Sequence, residues 1–375
     1  MVVSRTSWRG LDLLTPLIIL FLVGVGVAMI YSAYEVSRPT DGADALLDNT
    51  VFRQSLFAAV GLVAYIVVAA IDYHVILRLY RWIYVGVLAL LMLTQVLGQA
   101  RFGAQAWFEV FVFTVQPSEL CKVLMVVVMA RLLDSTEHDL ESPLPFLLSA
   151  VLVAAPAVLI YLQPDFGIAL MLMATWAGMA FLAGVRWRHI LFLGVLGLIA
   201  VPVAWFQAPP YMRGRIVDFL YPENDPSGST YNTMQALISI GSGGWWGKGF
   251  LQGTQSQLQF LRVRHTDFIF SVLAEEFGFI GSVLVILLYV ALILRLIHVA
   301  NQAPDMPGRL LVGGVATMVF AQAFVNTAMN ASLVPVTGLT LPLISYGGSS
   351  LTTMFIALGL AQSVALRSGR TEGLG

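Results

Sequence analysis

The stretch Phe268-Ile-Phe-Ser-Val-Leu-Ala-Glu-Glu-Phe-Gly-Phe-Ile-Gly-Ser-Val-Leu-Val-Ile-Leu-Leu-Tyr-Val-Ala-Leu-Ile-Leu-Arg-Leu-Ile297 decides the fold. Beyond Glu275 and Glu276 it runs without a charge to Arg295, close to the ~20 residues a helix needs to cross a bilayer. Comparable unbroken apolar runs recur along the chain. A membrane barrel would instead show short segments of alternating polarity. Only helices and closed barrels satisfy their backbone in hydrocarbon. The pattern specifies an all-α polytopic membrane protein.

Composition points the same way. Of 375 residues, 58% are hydrophobic and 11% charged, against about 25% charged in soluble domains. With a mean hydropathy of +0.83, a water-soluble globule is excluded. Lys and Arg number 20 and Asp and Glu 21, for a net charge of -1. No basic footprint for nucleic acid exists. A single cysteine, Cys121, excludes a disulfide framework, a thiolate metal site and an iron–sulfur centre.

Ten transmembrane helices are expected, near 12–33, 53–72, 78–98, 116–133, 145–163, 165–184, 188–207, 268–297, 309–330 and 349–367, in a single integral membrane domain over 1–375. The first follows Arg5 and Arg9 and is too long for a signal-peptide core, so it reads as an uncleaved anchor. Basic residues in short loops set the orientation. With the N-terminus inside, the inner side gathers Arg5, Arg9, Arg78, Arg81, Arg131, Arg186, Arg188, Arg295, Arg309, Arg367 and Arg370, while the outer short loops hold Arg38, Arg53 and Arg101. Both termini are then cytoplasmic. A large extracytoplasmic loop, 208–267, separates the seventh and eighth spans, where ordinary connections run about 4–6 residues. It contains amphipathic stretches near 209–220 and 230–242, then Gly241-Ser-Gly-Gly-Trp-Trp-Gly-Lys-Gly249. Those aromatics argue for packing at the membrane surface.

Ionisable groups in or beside spans each need a partner or a role. Glu119 and Lys122, three apart in Gln116-Pro-Ser-Glu-Leu-Cys-Lys122, share a helix face and can pair; the alternative is a cavity lining that meets substrate. Asp165, in Gln163-Pro-Asp-Phe-Gly167, is a natural N-cap or a group beside a cavity. Asp267, in Arg264-His-Thr-Asp-Phe-Ile-Phe270, is also placed to cap. A carboxylate desolvated at a membrane surface is equally suited to act as a general base. The cations near it in sequence are Arg262, Arg264 and His265, with Arg213, Arg215 and Lys248 earlier in the loop. They suit a leaving pyrophosphate or lipid headgroups. Adjacent residues on a helix point about 100° apart, so Glu275 and Glu276 cannot both face one site. Asn326 and Asn330 are spaced to hydrogen-bond across helices. Pro335-Val-Thr-Gly-Leu-Thr-Leu-Pro342 and Ser345-Tyr-Gly-Gly-Ser-Ser350 read as a re-entrant outer segment, which protein or a watery cavity must cover. No nucleophile elbow, dinucleotide fingerprint, P-loop or zincin motif occurs, and five scattered histidines disfavour a catalytic zinc.

Seven blocks in order, Gly103-Ala-Gln-Ala-Trp107, Gln116-Pro-Ser-Glu-Leu120, Gln163-Pro-Asp-Phe-Gly167, Gly243 to Gly249, His265-Thr-Asp-Phe-Ile-Phe-Ser-Val-Leu-Ala-Glu-Glu-Phe-Gly278, Pro335-Val-Thr-Gly338 and Ile344-Ser-Tyr-Gly-Gly-Ser-Ser350, resemble the SEDS family (shape, elongation, division and sporulation), and RodA more than FtsW. The resemblance implies a peptidoglycan glycosyltransferase that polymerises lipid II at the outer face of the plasma membrane, for cell-wall elongation and shape. It implies a class B penicillin-binding protein as transpeptidase partner, with other elongation-complex membrane proteins and no nucleic acid. The family's essential acid matches Asp267. Candidate substrate contacts are Glu119, Lys122, Asp165, Trp107, Arg213, Arg215, Lys248, Ser349 and Ser350. No specific cofactor is assigned, and a divalent cation, Mg or Mn, is a candidate. Departures from the family pattern are Ala106 for Arg, Arg262-Val263 for Pro-Glu, Ile168 for Thr and Thr340 for Pro. The rival readings are a lipid II flippase and a non-catalytic scaffold for the penicillin-binding protein.

Overall fold

The computed structural model describes residues 12–35, 49–101, 104–110, 113–135, 143–207, 210–224, 230–258, 260–261 and 263–368. Arg5, Arg9, Arg38, Arg262, Arg370 and Gly103 lie outside them. The helices are α1 (Leu14–Ile30, continued by a π-turn at Tyr31–Glu35), α2 (Thr50–Ala70), α3 (Tyr73–Arg78), α4 (Tyr80–Leu97), α5 (Pro117–Ser135), α6 (Pro143–Tyr161), α7 (Phe166–Leu182), α8 (Trp187–Gln207), α9 (Pro210–Leu220), α10 (Tyr231–Gly243), α11 (Thr254–Gln257), α12 (Ile269–Asn301), α13 (Met306–Asn330) and α14 (Gly348–Ser368). Each expected span coincides with a helix to within a few residues. Among the described residues, six helical stretches are long and apolar enough to cross a membrane: Leu14–Ala33, Thr50–Ala70, Tyr80–Leu97, Ile269–Asn301, Met306–Asn330 and Gly348–Ser368. Of the rest, α5 carries Glu119, Lys122, Arg131 and Asp134, α6 contains Pro156, and α7 has 17 residues.

One expectation needs correction. The chain is mostly helical rather than all-α. An antiparallel sheet of β1 (Gln99–Arg101), β2 (Ala104–Val110) and β3 (Phe113–Val115) joins α4 to α5, with Gln99 opposite Trp107 and Phe108 opposite Val115. Strands this short leave no trace in a search for bilayer-length apolar runs. Asp72 accepts a hydrogen bond from His74 N and starts α3, and Leu79 separates α3 from α4.

Local chemistry explains the other starts. Asn49 caps α2 through Phe52 N, and Asp305 caps α13 through Gly308 N at 2.8 Å, relieving orphan N–H groups. Asp305 also receives Tyr73 Oη and meets His74 Nε2, which ties α3 to α13. Helices α2 and α14 pack closely: Gly359 lies against the Tyr65 backbone and Gly61 beneath the Phe355 ring. Small residues permit such approaches where apolar lipid offers no competing drive. Helix α1 runs beside α12, joined by Asp12–Arg295 at one end and by Ser32–Glu276 at the other.

The long connection is built from packed elements. Both amphipathic stretches are helices, α9 and α10, and α10 is applied to α12 through Ala236, Ser239 and Gly243. Helix α12 is broken at Gly278, whose φ of +66° is a conformation that disfavours any side chain. The break frees backbone groups, and the glycine- and tryptophan-rich segment takes them. Lys248 N donates to Glu275 O, Gly249 N to Glu276 O, Phe279 N to Gly244 O and Ile280 N to Trp245 O. A Cβ on Gly278 would stand 2.3 Å from Gly247 N. Trp245 and Trp246 project outward, 68% and 81% exposed.

Candidate active site

Three consecutive carbonyls fix the segment before α12. His265 O accepts from Tyr346 N at 2.9 Å, Thr266 O from Ser345 Oγ at 2.6 Å, and Asp267 O from Asn326 Nδ2 at 3.0 Å and Asn330 Nδ2 at 2.9 Å. The donors come from two places, the 333–347 segment and the end of α13. The 333–347 segment is itself buried at Leu339, Leu341, Leu343, Ile344 and Ser345, so protein covers it as its re-entrant reading requires. Asn326 also donates to Leu339 O.

The Asp267 carboxylate makes no capping bond. Phe268 holds the N-cap position of α12 and no side chain of that segment caps it, so the capping expectation for Asp267 is not met. Its carboxyl is half-buried and hydrogen-bonded with Thr266. Burial pushes it up to about 6. Arg215 and the Thr266 bond act in the opposite direction, and Asp165 reinforces burial. His265 is held down to about 4, by burial first and then by Arg264. At neutral pH it is an uncharged neighbour and not a cation.

Asp165 has two jobs. Oδ1 accepts from Ile168 N at 3.1 Å and caps α7, while Oδ2 accepts from Gln116 Nε2 at 2.8 Å. It stands close enough to Glu119, Lys122 and Arg215 for their charges to act on it. Lys122 Nζ lies 2.9 Å from Glu119 Oε2, with both side chains buried, and donates to Gln322 Oε1 at 3.1 Å. Gln322 Nε2 donates to Thr340 O, and Thr340 Oγ1 lies 2.8 Å from Ser350 Oγ. Ser349 Oγ accepts from Gln116 N and donates to Thr114 O. Asp267, Asp165, Arg215, Glu119, Lys122, Ser349 and Ser350 are thus joined in one polar system.

Other candidates are placed elsewhere. Lys248 Nζ bonds Glu275 Oε1 at 2.7 Å and Thr254 Oγ1 at 2.8 Å, a structural pair that neutralises a buried acid. Glu276 turns to Ser32, so the paired glutamates diverge as their spacing demands. Arg213 bonds Phe206 O, and Arg264 bonds Ala33 O. Of the expected cations among the described residues, Arg215 acts on Asp267; its Nη1 donates to Val336 O. Trp107 is half-buried on β2, whose sheet leads through Thr114 to Gln116; no direct bond from Trp107 to Asp267 is among those described.

The sequence pattern of the FtsW/RodA/SpoVE family of cell cycle proteins matches residues 13–369. The chain belongs to this family. It is 37% identical over 360 residues to stage V sporulation protein E of Bacillus subtilis, covering 94% of this chain and 96% of that one. To peptidoglycan glycosyltransferase MrdB of Escherichia coli it is 35% identical over 364 residues, covering 96% and 95%. Two solved structures share the fold. One, from work on the structural coordination of polymerization and crosslinking by a peptidoglycan synthase complex, aligns with a TM-score of 0.82 at 31% identity over 97% of this chain and 100% of that one. The other, rod shape determining protein RodA of Thermus thermophilus, has a TM-score of 0.70 at 31% identity over 96% and 97%. The protein is therefore a multi-pass membrane protein of the FtsW/RodA/SpoVE type.

Gln116, Gln322, Thr340 and Ser345 join this family member's site without having been singled out as ligands. Gln116 stood in the quoted block beside Glu119, and Thr340 was noted only as a departure. The usable signal is a polar side chain at a helix start for Gln116, inside the apolar α13 for Gln322, and within the re-entrant segment for Thr340 and Ser345.

Proposed function

We propose that the chain is a peptidoglycan glycosyltransferase that polymerises lipid II at the outer face of the plasma membrane during elongation. It would work beside a class B penicillin-binding protein, whose transpeptidase crosslinks the product. Ten crossings in one domain, with both termini cytoplasmic and 208–267 outside, put Asp267 on the outer side. One observation carries the reading: a half-buried carboxylate, excused from capping, on a segment whose three carbonyls are all held. Relatives named as peptidoglycan glycosyltransferases support it.

In the inverting step, Asp267 takes the proton of the acceptor sugar's 4-hydroxyl. The oxygen forms its bond to the donor's anomeric carbon from the face opposite the pyrophosphate. The carbon–oxygen bond to undecaprenyl pyrophosphate breaks, and the electron pair leaves with it. Arg215 supplies positive charge for that anion. Asp165, Glu119, Lys122, Ser349 and Ser350 bind and orient the sugars or the phosphates. Among the described residues no group of three or more His, Cys, Asp or Glu is gathered to hold a metal. A divalent cation, Mg or Mn, would add positive charge at the substrate's phosphate oxygens.

The test is a gel of glycan products from purified protein, its transpeptidase partner and lipid II. Chains lengthen with the parent and fail to lengthen with Asp267→Asn; equal polymerisation by the variant overturns the base assignment.

A further inference from the structure

A carboxylate that opens a helix is normally drawn into capping, because the first N–H groups of the helix lack partners. At the start of α12 a residue from another helix does that work. Asn330, the last residue of α13, accepts Ser271 N at 3.1 Å and Ser271 Oγ at 2.6 Å on its Oδ1. Ser271 N is shared with Phe268 O at 3.0 Å. From the same amide group, Nδ2 donates to Asp267 O at 2.9 Å. One fully buried side chain therefore grips the segment on both sides of Phe268. Asn326 differs: it donates to Asp267 O and Leu339 O and takes no part in the cap.

We propose that Asn330 is a positioning residue, capping α12 from outside so that the Asp267 carboxylate stays turned away from its own helix and free to accept a substrate proton. The inference rests on Asp267 being the base. Without Asn330, Ser271 N keeps Phe268 O alone, and Asp267 is the carboxylate of its own segment that can swing toward the start of α12. Once bonded there it is a weaker base aimed in the wrong direction. The charges that act on Asp267 are Arg215 from α9 and Asp165 from the turn between α6 and α7; on its own segment Arg264 turns to Ala33 O and His265 is uncharged at neutral pH. Asn326 and Asn330 from α13, and Gly338 from the 333–347 segment, face it without charge.

The experiment uses the full chain with its transpeptidase partner. Two readouts are taken: polymerisation of lipid II against pH, and infrared titration of the Asp267 carboxyl, isolated by subtracting the Asp267→Asn spectrum. Asn330→Ala should lower kcat on the order of 10²-fold, the cost of a misplaced catalytic group, with KM for lipid II little changed. The carboxyl and the acid limb of the rate profile should move together to lower pH. Asn326→Ala leaves the cap in place and should reduce kcat less, with the titration unmoved. Asn330→Asp keeps an acceptor for Ser271 and adds a negative charge, so it should fold and move the carboxyl the opposite way, upward. An unshifted carboxyl in Asn330→Ala overturns the proposal, as does the same shift in both alanine variants. If Asn330→Ala does not fold, a downward or absent shift in Asn330→Asp overturns it. The infrared titration needs no turnover, so failure of the base assignment, read from Asp267→Asn alone, is distinguished from failure of the cap.

Discussion

The starts of α7 and α12 pose the same local problem and solve it differently. Each follows a short turn, each carries an aspartate next to its first residues, and each aspartate lies within range of Arg215. Asp165 gives one oxygen to the Ile168 N–H and the other to Gln116. Asp267 gives its carboxylate to neither its helix nor an amide of α13, because Asn330 already serves the helix. Residue type alone therefore does not decide whether an aspartate is a cap or a reagent: Asp165 is the N-cap residue of α7, and Asp267 stands one residue ahead of the N-cap Phe268. A third residue, distant in sequence, completes the difference by bonding Ser271 N.

The comparison breaks most visibly by removing each carboxylate in turn. Asp267→Asn should lower polymerisation by about 10²–10⁴-fold, the usual worth of a general base, without loss of folded protein. Asp165→Asn keeps a good cap and should lose far less; equal losses on the product gel would erase the distinction. The buried Glu119–Lys122 pair sits on the Asp165 side. Glu119→Gln strands a buried ammonium and should cost about 3–5 kcal/mol, seen as a fall in thermal stability. The charge-swapped double variant should recover part of it, and strict additivity would argue against coupling.

Smaller effects sharpen the contrast. Asp165→Ala removes a cap and should destabilise the fold by about 0.5–2 kcal/mol, read as a lower Tm. The pH dependence is the subtlest. With its carboxyl raised from the usual 3.8 to about 6, folded Asp267 holds its proton more tightly than the unfolded chain. Its contribution to stability is therefore present below about pH 4 and lost as pH rises through 6. Asp267→Asn should unfold at a higher temperature than the parent at pH 7, with the gain vanishing in acid. As a base the same group should give the rate an acid limb near pH 6 that the variant lacks.

Much of this was legible in the residues. The apolar runs placed the helices, because a bilayer imposes one length on all of them. The Glu119–Lys122 pairing followed from helical spacing, and the divergence of Glu275 and Glu276 from helical geometry. The sheet at 99–115 was not legible, since strands of three to seven residues carry no bilayer-length signal. Nor were the separate fates of Arg213, Arg215 and Lys248. One loop holds all three, and only tertiary partners, Phe206 O, Val336 O and Glu275, sort them. The asparagines of α13 read as interhelical donors; that their acceptor is the backbone of the key acid depends on contacts spanning 59 and 63 residues.

The break at Gly278 also settles a mismatch of lengths. Helix α12 has 33 residues and α13 has 25, yet the pair share both ends: Ser271 meets Asn330, and a short connection joins Asn301 to Met306. A straight α12 would overshoot its partner by eight residues, about 12 Å of rise. The kink at Gly278 takes up that difference, leaving residues 269–277 as a piece with its own direction. Asp267 leads that shorter piece and not the long one.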